Sequence, residues 1–248
     1  MKTNWIIERP IAHRGLWSNS IPENSLAAFD RATTKGFPSE LDIHMTIDGR
    51  IVVFHDDFLT RVTNRKQLIS QTSWVDIQKL NIFNTKHKIP LFEDVLDTVN
   101  KRQPLFIDIK SEEHASPREV IHSCKETWQI LKRYNGPIVI VSLDPLILQW
   151  FSRTAPKIPR MLSVSPNGGH KLILRVGTHD IVRFEKYIKM SRPSVIGFDI
   201  MKTLPSPIYT RAKELKFPTI SWVVDNNTLK KVSLKFCDTY MFERIAGS

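Results

Sequence analysis

Three clusters of reactive side chains lie within the first 56 residues of the chain. They are His13-Arg14-Gly15, then Glu40 and Asp42, and then His55-Asp56. Imidazoles exchange protons near neutral pH, a guanidinium binds phosphate oxygens in a bidentate manner, and carboxylates hold hard divalent cations. A metal-assisted reaction on a phosphate ester requires this combination of groups.

The carboxylates are candidates for a cation site. Glu40 and Asp42 alternate along a strand-like segment and therefore point to the same face, and Asp108 ends a later strand. Together they predict an all-oxygen site for one divalent cation, Mg²⁺ or Ca²⁺. A thiolate site is excluded because Cys124 and Cys237 have no metal-binding spacing. Taken alone, a Glu-x-Asp pair is more often a solvated strand edge.

His13 and His55 are the candidate catalytic acid and base, because one imidazole can accept a proton while the other donates one. Arg14 and Lys110 are candidates for binding the substrate phosphate. The structural alternatives are a buried histidine with satisfied hydrogen bonds and an ion pair of Lys110 with a neighbouring carboxylate inside the sheet.

Three further sets of residues are less informative. Trp222 could wall a substrate pocket, although a core aromatic is an equal alternative. His44 shares the face of Glu40 and Asp42, and its position favours a supporting or surface role. No role is assigned to three histidines expected at the surface, which are His114, His170 and His179.

Strand-like and helix-like segments alternate along most of the chain, which predicts a parallel sheet. Apart from a hairpin strand after Asp48-Gly49, eight strands are expected to end near His13, Asp42, Lys110, Ser142, Val164, Asp199, Val224 and Phe242. Eight such units in 248 residues predict an α/β fold, the (β/α)8 TIM barrel. The candidate site residues fall at the carboxyl ends of the strands, where active sites of such barrels lie.

Two segments depart from the regular pattern. Residues 51–90 are expected to form a small insertion after the second strand, within a single domain spanning residues 1–248. The residues after the eighth strand are too few for a final helix, so that helix is missing or atypical. Either residues 1–9 or a partner subunit, in a possible homo-oligomer, would cover that flank.

Composition restricts the class of protein and of partner. Apolar residues make up 41% and charged residues 25% of the chain, as in ordinary globular proteins. The net charge of +11 comes from scattered basic residues without a patch, so no nucleic-acid partner is expected. No apolar run is long enough for a signal peptide or a membrane span, which predicts a cytoplasmic protein without stable membrane insertion.

The sequence resembles the glycerophosphodiester phosphodiesterase family, whose hallmark is His-Arg, then Glu-x-Asp, then His. These positions are His13-Arg14, Glu40-Leu41-Asp42 and His55, and the flanking segments PENSLAAF, TIDGRIVVFHDD, IPLFEDVL, LFIDIK and SWVVDNN are also similar. The resemblance implies a barrel with a small insertion, a divalent cation at Glu40, Asp42 and position 108, and histidine acid–base catalysis. It also implies attack of the glycerol 2-hydroxyl on phosphorus, a cyclic phosphate, and release of glycerol 3-phosphate and an alcohol from a small-molecule phosphodiester.

Three departures from the family pattern stand out. Asp108 replaces the usual Glu, Trp222-Val223 replaces Trp-Thr, and Phe242-Glu243 replaces Thr-Asp near the last strand. None of them removes a proton-transfer group, so activity is expected to survive. The alternatives are a lysophospholipase D-type enzyme, which the polar insertion disfavours, and a non-catalytic barrel that binds a phosphate ligand.

Overall fold

The computed structural model describes residues 4–112, 115–165 and 180–244. The strands in these ranges are β1 (Ile11–Ala12), β2 (Ser39–Met45), β3 (Ile51–Val53), β4 (Leu105–Ile109), β5 (Ile138–Ser142), β6 (Arg160–Val164), β7 (Val195–Asp199), β8 (Thr219–Val224) and β9 (Thr239–Phe242). All neighbours pair in parallel except β3, which pairs with β2 in antiparallel orientation. Because β1 pairs with both β2 and β9, eight strands close into the predicted TIM barrel.

Helices follow the barrel strands and cover the outside of the barrel. Those in the described residues are α1 (Leu26–Thr34), α2 (Thr60–Thr63), α3 (Trp74–Ile77), α4 (Phe92–Val99), α5 (Pro117–Leu131), α6 (Pro145–Thr154), α7 (Ile181–Ser191), α8 (Pro207–Glu214) and α9 (Asn227–Phe236). None of them combines the length and the apolar content that crossing a bilayer requires. The sequence pattern predicts a helix over residues 178–189, and the start of that helix lies outside the described residues.

Alternating side chains form two apolar layers. Phe106, Met161 and Ile220 belong to an inner cluster of strand residues, whereas Leu41 and Ile107 pack outward with residues of the helices. On β2 and β4 the same alternation turns polar near the strand ends, so Glu40, Asp42 and Asp108 point into the barrel. The barrel pleat therefore brings the candidate carboxylates together.

The segment of residues 54–90 carries its own small apolar cluster beside the barrel. This cluster includes Phe54, Leu59, Ile69, Ile77 and Ile82, all of which are buried. The sequence pattern favours a short helix over residues 74–80. The helix in the structure ends earlier, at Ile77. The segment begins directly after β3, and its second residue is the candidate catalytic residue His55.

The flank between β9 and β1 is covered by residues that precede β2. The Phe37 ring contacts the Phe242 ring edge-on, with centroids 5.2 Å apart, and Phe242 is buried. The expectation that residues 1–9 cover this flank stays a prediction; Arg9 reaches the flank by donating to the carbonyl oxygen of Gly36. Ile6 packs instead into the inner cluster, against residues such as Ile11 and Met241.

Candidate active site

Glu40, Asp42 and Asp108 form a compact group of carboxylates inside the barrel. Asp42 and Asp108 are partners in the β2–β4 register, and Glu40 lies two residues before Asp42 on the same face. One oxygen of each of the three carboxylates lies within 4.8 Å of the others. Glu40 and Asp42 are buried and Asp108 is nearly so. Such a group of oxygens has the chemistry of a hard-cation site.

Basic and amide side chains surround these carboxylates. The Lys110 Nζ lies 2.7 Å from Asp42 Oδ1 and 2.6 Å from Asp108 Oδ2. The Arg14 Nε lies 3.3 Å from Asp42 Oδ2, and the Asn24 amide donates to the same oxygen at 2.8 Å. Asp42 therefore contacts two cations, whereas Glu40 accepts a hydrogen bond from the backbone N–H of Arg14 at 3.0 Å.

Because of this difference in contacts, the pKa values of Glu40 and Asp42 shift in opposite directions. Burial, followed by the charges of Asp42 and Asp108, raises the pKa of Glu40 well above its usual range. Burial opposes ionisation of Asp42 as well, but Lys110, His55 and Arg14 hold its pKa well below its usual range. Burial also raises the pKa of Asp108. Three carboxyl groups thus lie against two cationic side chains, those of Lys110 and Arg14.

His13 is held by a carboxylate from the last strand of the barrel. Its Nδ1 lies 2.5 Å from Glu243 Oε1, and its Nε2 lies 3.7 Å from Glu40 Oε2. The imidazole is 8% exposed, and burial lowers its pKa despite the hydrogen bond to Glu243. With Nδ1 donating to Glu243, Nε2 of the neutral ring can accept a proton.

His55 is held in a similar way by its chain neighbour. Its Nδ1 lies 2.6 Å from Asp56 Oδ1, and Arg61 Nε donates to the other oxygen of Asp56, also at 2.6 Å. Arg61 Nη2 donates to Glu23 at 2.7 Å, and Glu23 in turn accepts from Arg14 at 2.8 Å. A continuous chain of ion pairs therefore connects His55 to Arg14.

A cavity of about 600 Å³ opens at the carboxyl ends of the barrel strands. We call it the mouth cavity; its lining includes His55, Asp56, Asp108, Lys110 and Asp144. The lining does not include His13, Arg14, Glu40 or Asp42; of these, Asp42 contacts the lining residue Lys110 directly.

His44 and Trp222 occupy supporting positions. His44 is buried rather than at the surface, and its Nε2 lies 3.1 Å from the carbonyl oxygen of His55, to which it can donate. Burial lowers the pKa of His44 to about 4. Trp222 packs against the inner cluster, and its buried indole N–H has no hydrogen-bond partner among the described residues. Its role as a wall of the substrate pocket stays a prediction, and the histidines at 114, 170 and 179 lie outside the described residues.

Four residues that contact the three clusters of reactive side chains were not predicted from the sequence. They are Glu23, Asn24, Arg61 and Glu243. In the sequence, Glu23 and Asn24 precede a helical pattern, and Arg61 lies in the polar insertion. Neither position indicates a site residue. Of the four, Asn24 is the residue whose type gives a local signal. Asn is one of the few residues that readily adopt a positive φ, and the φ of Asn24 is +53°. Glu243 gives none, because its contact with His13 spans 230 residues of the chain.

Comparison with known proteins agrees with this geometry. The sequence pattern of the glycerophosphoryl diester phosphodiesterase family matches residues 13–235. The chain belongs to this family. Family members are phosphoric diester hydrolases by name, and the match covers every predicted site residue. Glu243, which the sequence did not indicate, lies beyond the matched residues.

Two curated relatives show how much sequence is shared. A glycerophosphodiester phosphodiesterase of Bacillus altitudinis is 36% identical over 106 residues, which are 40% of this chain and 43% of the relative. Another from Bacillus subtilis strain 168 is 28% identical over 167 residues, or 60% of this chain and 57% of the relative. The aligned region thus spans about half the length of these relatives.

A solved structure shows that the fold is shared over nearly the whole chain. An Oleispira antarctica phosphodiesterase, determined in complex with the product sn-glycerol-3-phosphate, superposes with a TM-score of 0.77. It is 20% identical in sequence, and the match covers 94% of this chain and 92% of that one. The two chains therefore share the barrel fold over nearly their whole length.

Proposed function

We propose that this chain hydrolyses glycerophosphodiesters, the deacylated headgroups of phospholipids, to glycerol 3-phosphate and an alcohol, with a divalent cation and two histidines. The supporting observation is one barrel mouth with three clustered carboxylates and two imidazoles that each contact a carboxylate. Family membership and the product bound in the Oleispira antarctica relative agree with this reaction. A cytoplasmic location and a small-molecule substrate belong to the same proposal.

Glu40, Asp42 and Asp108 would hold the cation. Their donor atoms are all oxygens, and Asp42 Oδ1 is buried without a well-formed hydrogen bond, its contact being the ion pair with Lys110. Burial raises the pKa of Glu40 and of Asp108, and the neighbouring carboxylates act in the same direction, an effect that a bound cation would oppose. When bound, Mg²⁺ or Ca²⁺ would neutralise negative charge on the phosphodiester during attack.

His13 and His55 would exchange protons with the substrate. The lowered pKa of His13 keeps its ring neutral near pH 7, so Nε2 would accept the proton of the attacking glycerol 2-hydroxyl. His55, which lines the mouth cavity, would donate a proton to the departing alcohol. In the second step water opens the cyclic phosphate, and the two imidazoles exchange roles.

Arg14 and Lys110 would orient the phosphate. Opposing carboxylates raise the pKa of both groups although burial lowers it, so both stay cationic throughout the working pH range. The ammonium of Lys110 lines the mouth cavity, where a phosphate oxygen can reach it. A planar guanidinium and a point charge give complementary contacts to a phosphodiester.

The decisive measurement is the release of glycerol 3-phosphate from a panel of glycerophosphodiesters, with and without EDTA. We expect turnover that EDTA abolishes and Mg²⁺ or Ca²⁺ restores. We expect His13→Ala to lower kcat by about 10²–10⁴-fold while the circular dichroism spectrum stays unchanged.

The matched control for the metal site is a second glutamate. Glu40→Gln should lose activity, whereas Glu93→Gln, on the outside of the barrel, should retain it. Near-normal rates for His13→Ala would contradict its role. Binding of glycerophosphodiesters without any turnover would favour the non-catalytic barrel instead.

A further inference from the structure

A second cavity adjoins the mouth cavity and has a different chemical character. It has a volume of about 610 Å³ and lies between the end of β2, the segment of residues 54–90 and the start of α5. We call it the side cavity. Both cavities are lined by Asp57, Phe58, Lys110 and Ser111, so one substrate can occupy both. The volume is within the usual range for a small-molecule site.

The side cavity begins where the proposed function, on which this inference rests, places the phosphate. Lys110 lines both cavities, and its ammonium is one of the two proposed phosphate contacts. A phosphodiester has two ester arms, and only one of them is glycerol. With phosphorus near Lys110, one arm therefore has the mouth cavity available and the other the side cavity.

Negative charge is concentrated along the side cavity although the whole chain carries a net charge of +11. Three acidic residues line it, Asp57, Glu112 and Glu119, together with one lysine, Lys110, and two histidines, His44 and His122. Glu112 is fixed in place, because the Ser70 hydroxyl and backbone N–H donate to its two oxygens at 2.7 and 3.2 Å. Burial raises the pKa of Glu112 despite the two hydrogen bonds from Ser70, and the charges of Asp57 and Glu119 act in the same direction.

Apolar groups line the same cavity between these acids. The Phe58 ring is 53% exposed at the junction of the two cavities, and Met45, Leu68 and Val120 lie further along the wall. An aromatic face beside carboxylates is the usual protein environment for an organic ammonium ion. A fatty acyl chain fits less well, because an acyl chain in the cavity would displace the water that hydrates the three carboxylates.

We infer that the side cavity receives the leaving alcohol of the substrate and selects an alcohol that carries a positive charge, a quaternary or primary ammonium. Glu112 supplies the charge contact and Phe58 the aromatic face. In the proposed mechanism, neither residue transfers a proton or holds the divalent cation. They determine specificity, and their effect is expected mainly in KM because the contact exists before and during the reaction.

The test compares hydrolysis of glycerophosphocholine, glycerophosphoethanolamine and uncharged glycerophosphoglycerol. We expect the unmodified chain to favour the two cationic substrates by about tenfold in kcat/KM, a difference typical of one charge contact. Glu112→Gln should lower that preference about fivefold or more, mainly through KM, and leave the kcat/KM for glycerophosphoglycerol nearly unchanged. Phe58→Leu should affect the choline substrate most, since it removes the aromatic face and keeps an apolar side chain.

Asp97→Asn is the matched control, because it removes one negative charge from an exposed position of α4 that lines neither cavity. It should leave all three rates unchanged. Thermal unfolding of each variant shows whether the loss of the Ser70 contact has altered the fold, and Phe58→Leu tests the inference without touching that contact.

Equal rates for charged and uncharged diesters, unaffected by Glu112→Gln, would overturn the inference while leaving the proposed function intact. A preference for monoacyl substrates, also insensitive to Glu112→Gln, would instead assign the cavity to an acyl chain. If no diester were hydrolysed, the proposed function would fall. Calorimetric binding of glycerophosphocholine against glycerophosphoglycerol, with and without Glu112→Gln, would then test the side cavity separately.

Discussion

At the scale of single residues, both histidines of the candidate site have Nδ1 against a carboxylate oxygen, which leaves Nε2 for the substrate. The two carboxylates differ in how they are held. Glu243 comes from the end of β9, whereas Asp56 depends on Arg61, whose guanidinium contacts Asp56 and Glu23 at once. Arg61 is therefore a positioning residue that acts through Asp56 on His55.

Replacing Arg61, which also lines the mouth cavity, should impair the reaction although the proposed mechanism gives it no contact with the substrate. We expect Arg61→Ala to lower kcat about tenfold or more, as changes in such supporting contacts usually do, with a smaller change in KM. Arg61→Lys should recover part of kcat, because it keeps the charge but cannot contact both carboxylates in the same planar geometry.

The control for Arg61 is Arg65→Ala. Arg65 is exposed in the same segment, and its backbone carbonyl and N–H form hydrogen bonds with the hydroxyls of Thr60 and Thr63. It should have normal kinetics. A merely structural role for Arg61 would appear as a lower melting temperature with unchanged kcat, and that result would contradict the positioning role.

At the scale of elements, the sequence predicted the barrel strands well because buried parallel strands are continuous apolar runs bounded by turn residues. The predicted ends of β6, β7 and β9 agree with the structure. The first strand was predicted to end near His13, and it ends one residue earlier, at Ala12. Its end is set by the backbone of Arg14 and Gly15, with φ values of +58° and +78°, which periodicity does not reveal.

Gly15 shows how closely the β1–α1 loop approaches α1. A Cβ atom at this position would lie 2.9 Å from both the backbone carbon and the Cβ of Ala28, which is buried in α1. We therefore expect Gly15→Ala to destabilise the chain by about 2–4 kcal/mol, from the positive φ and the overlap together. It should also lower kcat, because His13 and Arg14 lie on the same loop.

Gly49 provides a matched control for that substitution. Its φ is +76°, but a Cβ there would meet nothing within 4 Å. Gly49→Ala should cost only about 1–2 kcal/mol, the backbone contribution alone. Urea unfolding midpoints measure both effects, and equal losses for the two variants would show that the contact with Ala28 does not constrain the loop.

At the scale of the whole molecule, closure of the barrel completes the site. The pairing of β1 with β9 brings Glu243 to His13, and the β2–β4 pairing sets Asp42 beside Asp108. Sequence spacing predicted the second contact, because strands that are consecutive in the barrel are usually neighbours. It could not predict the first, since only the complete circuit of eight strands determines which residue of the last turn meets His13.

The carboxylate group also couples the candidate cation site to the stability of the entire barrel. Glu40, Asp42 and Asp108 come from β2 and β4, so unfolding separates them and destroys the site. A cation that binds only the folded chain at 100 times its Kd would add about 2.7 kcal/mol to the free energy of unfolding. For a chain of this length that is a rise of about 5–10 °C in the melting temperature.

We therefore expect Mg²⁺ or Ca²⁺ to raise the melting temperature in a concentration-dependent manner without any substrate present, and EDTA to reverse the shift. Asp108→Asn should abolish most of this increment whatever its effect on the starting stability, whereas Asp97→Asn should preserve it. An increment of equal size in Asp108→Asn would place the bound cation elsewhere. No increment at any millimolar concentration would remove the cation from the proposed mechanism and leave Lys110 as the counter-charge of Asp42 and Asp108.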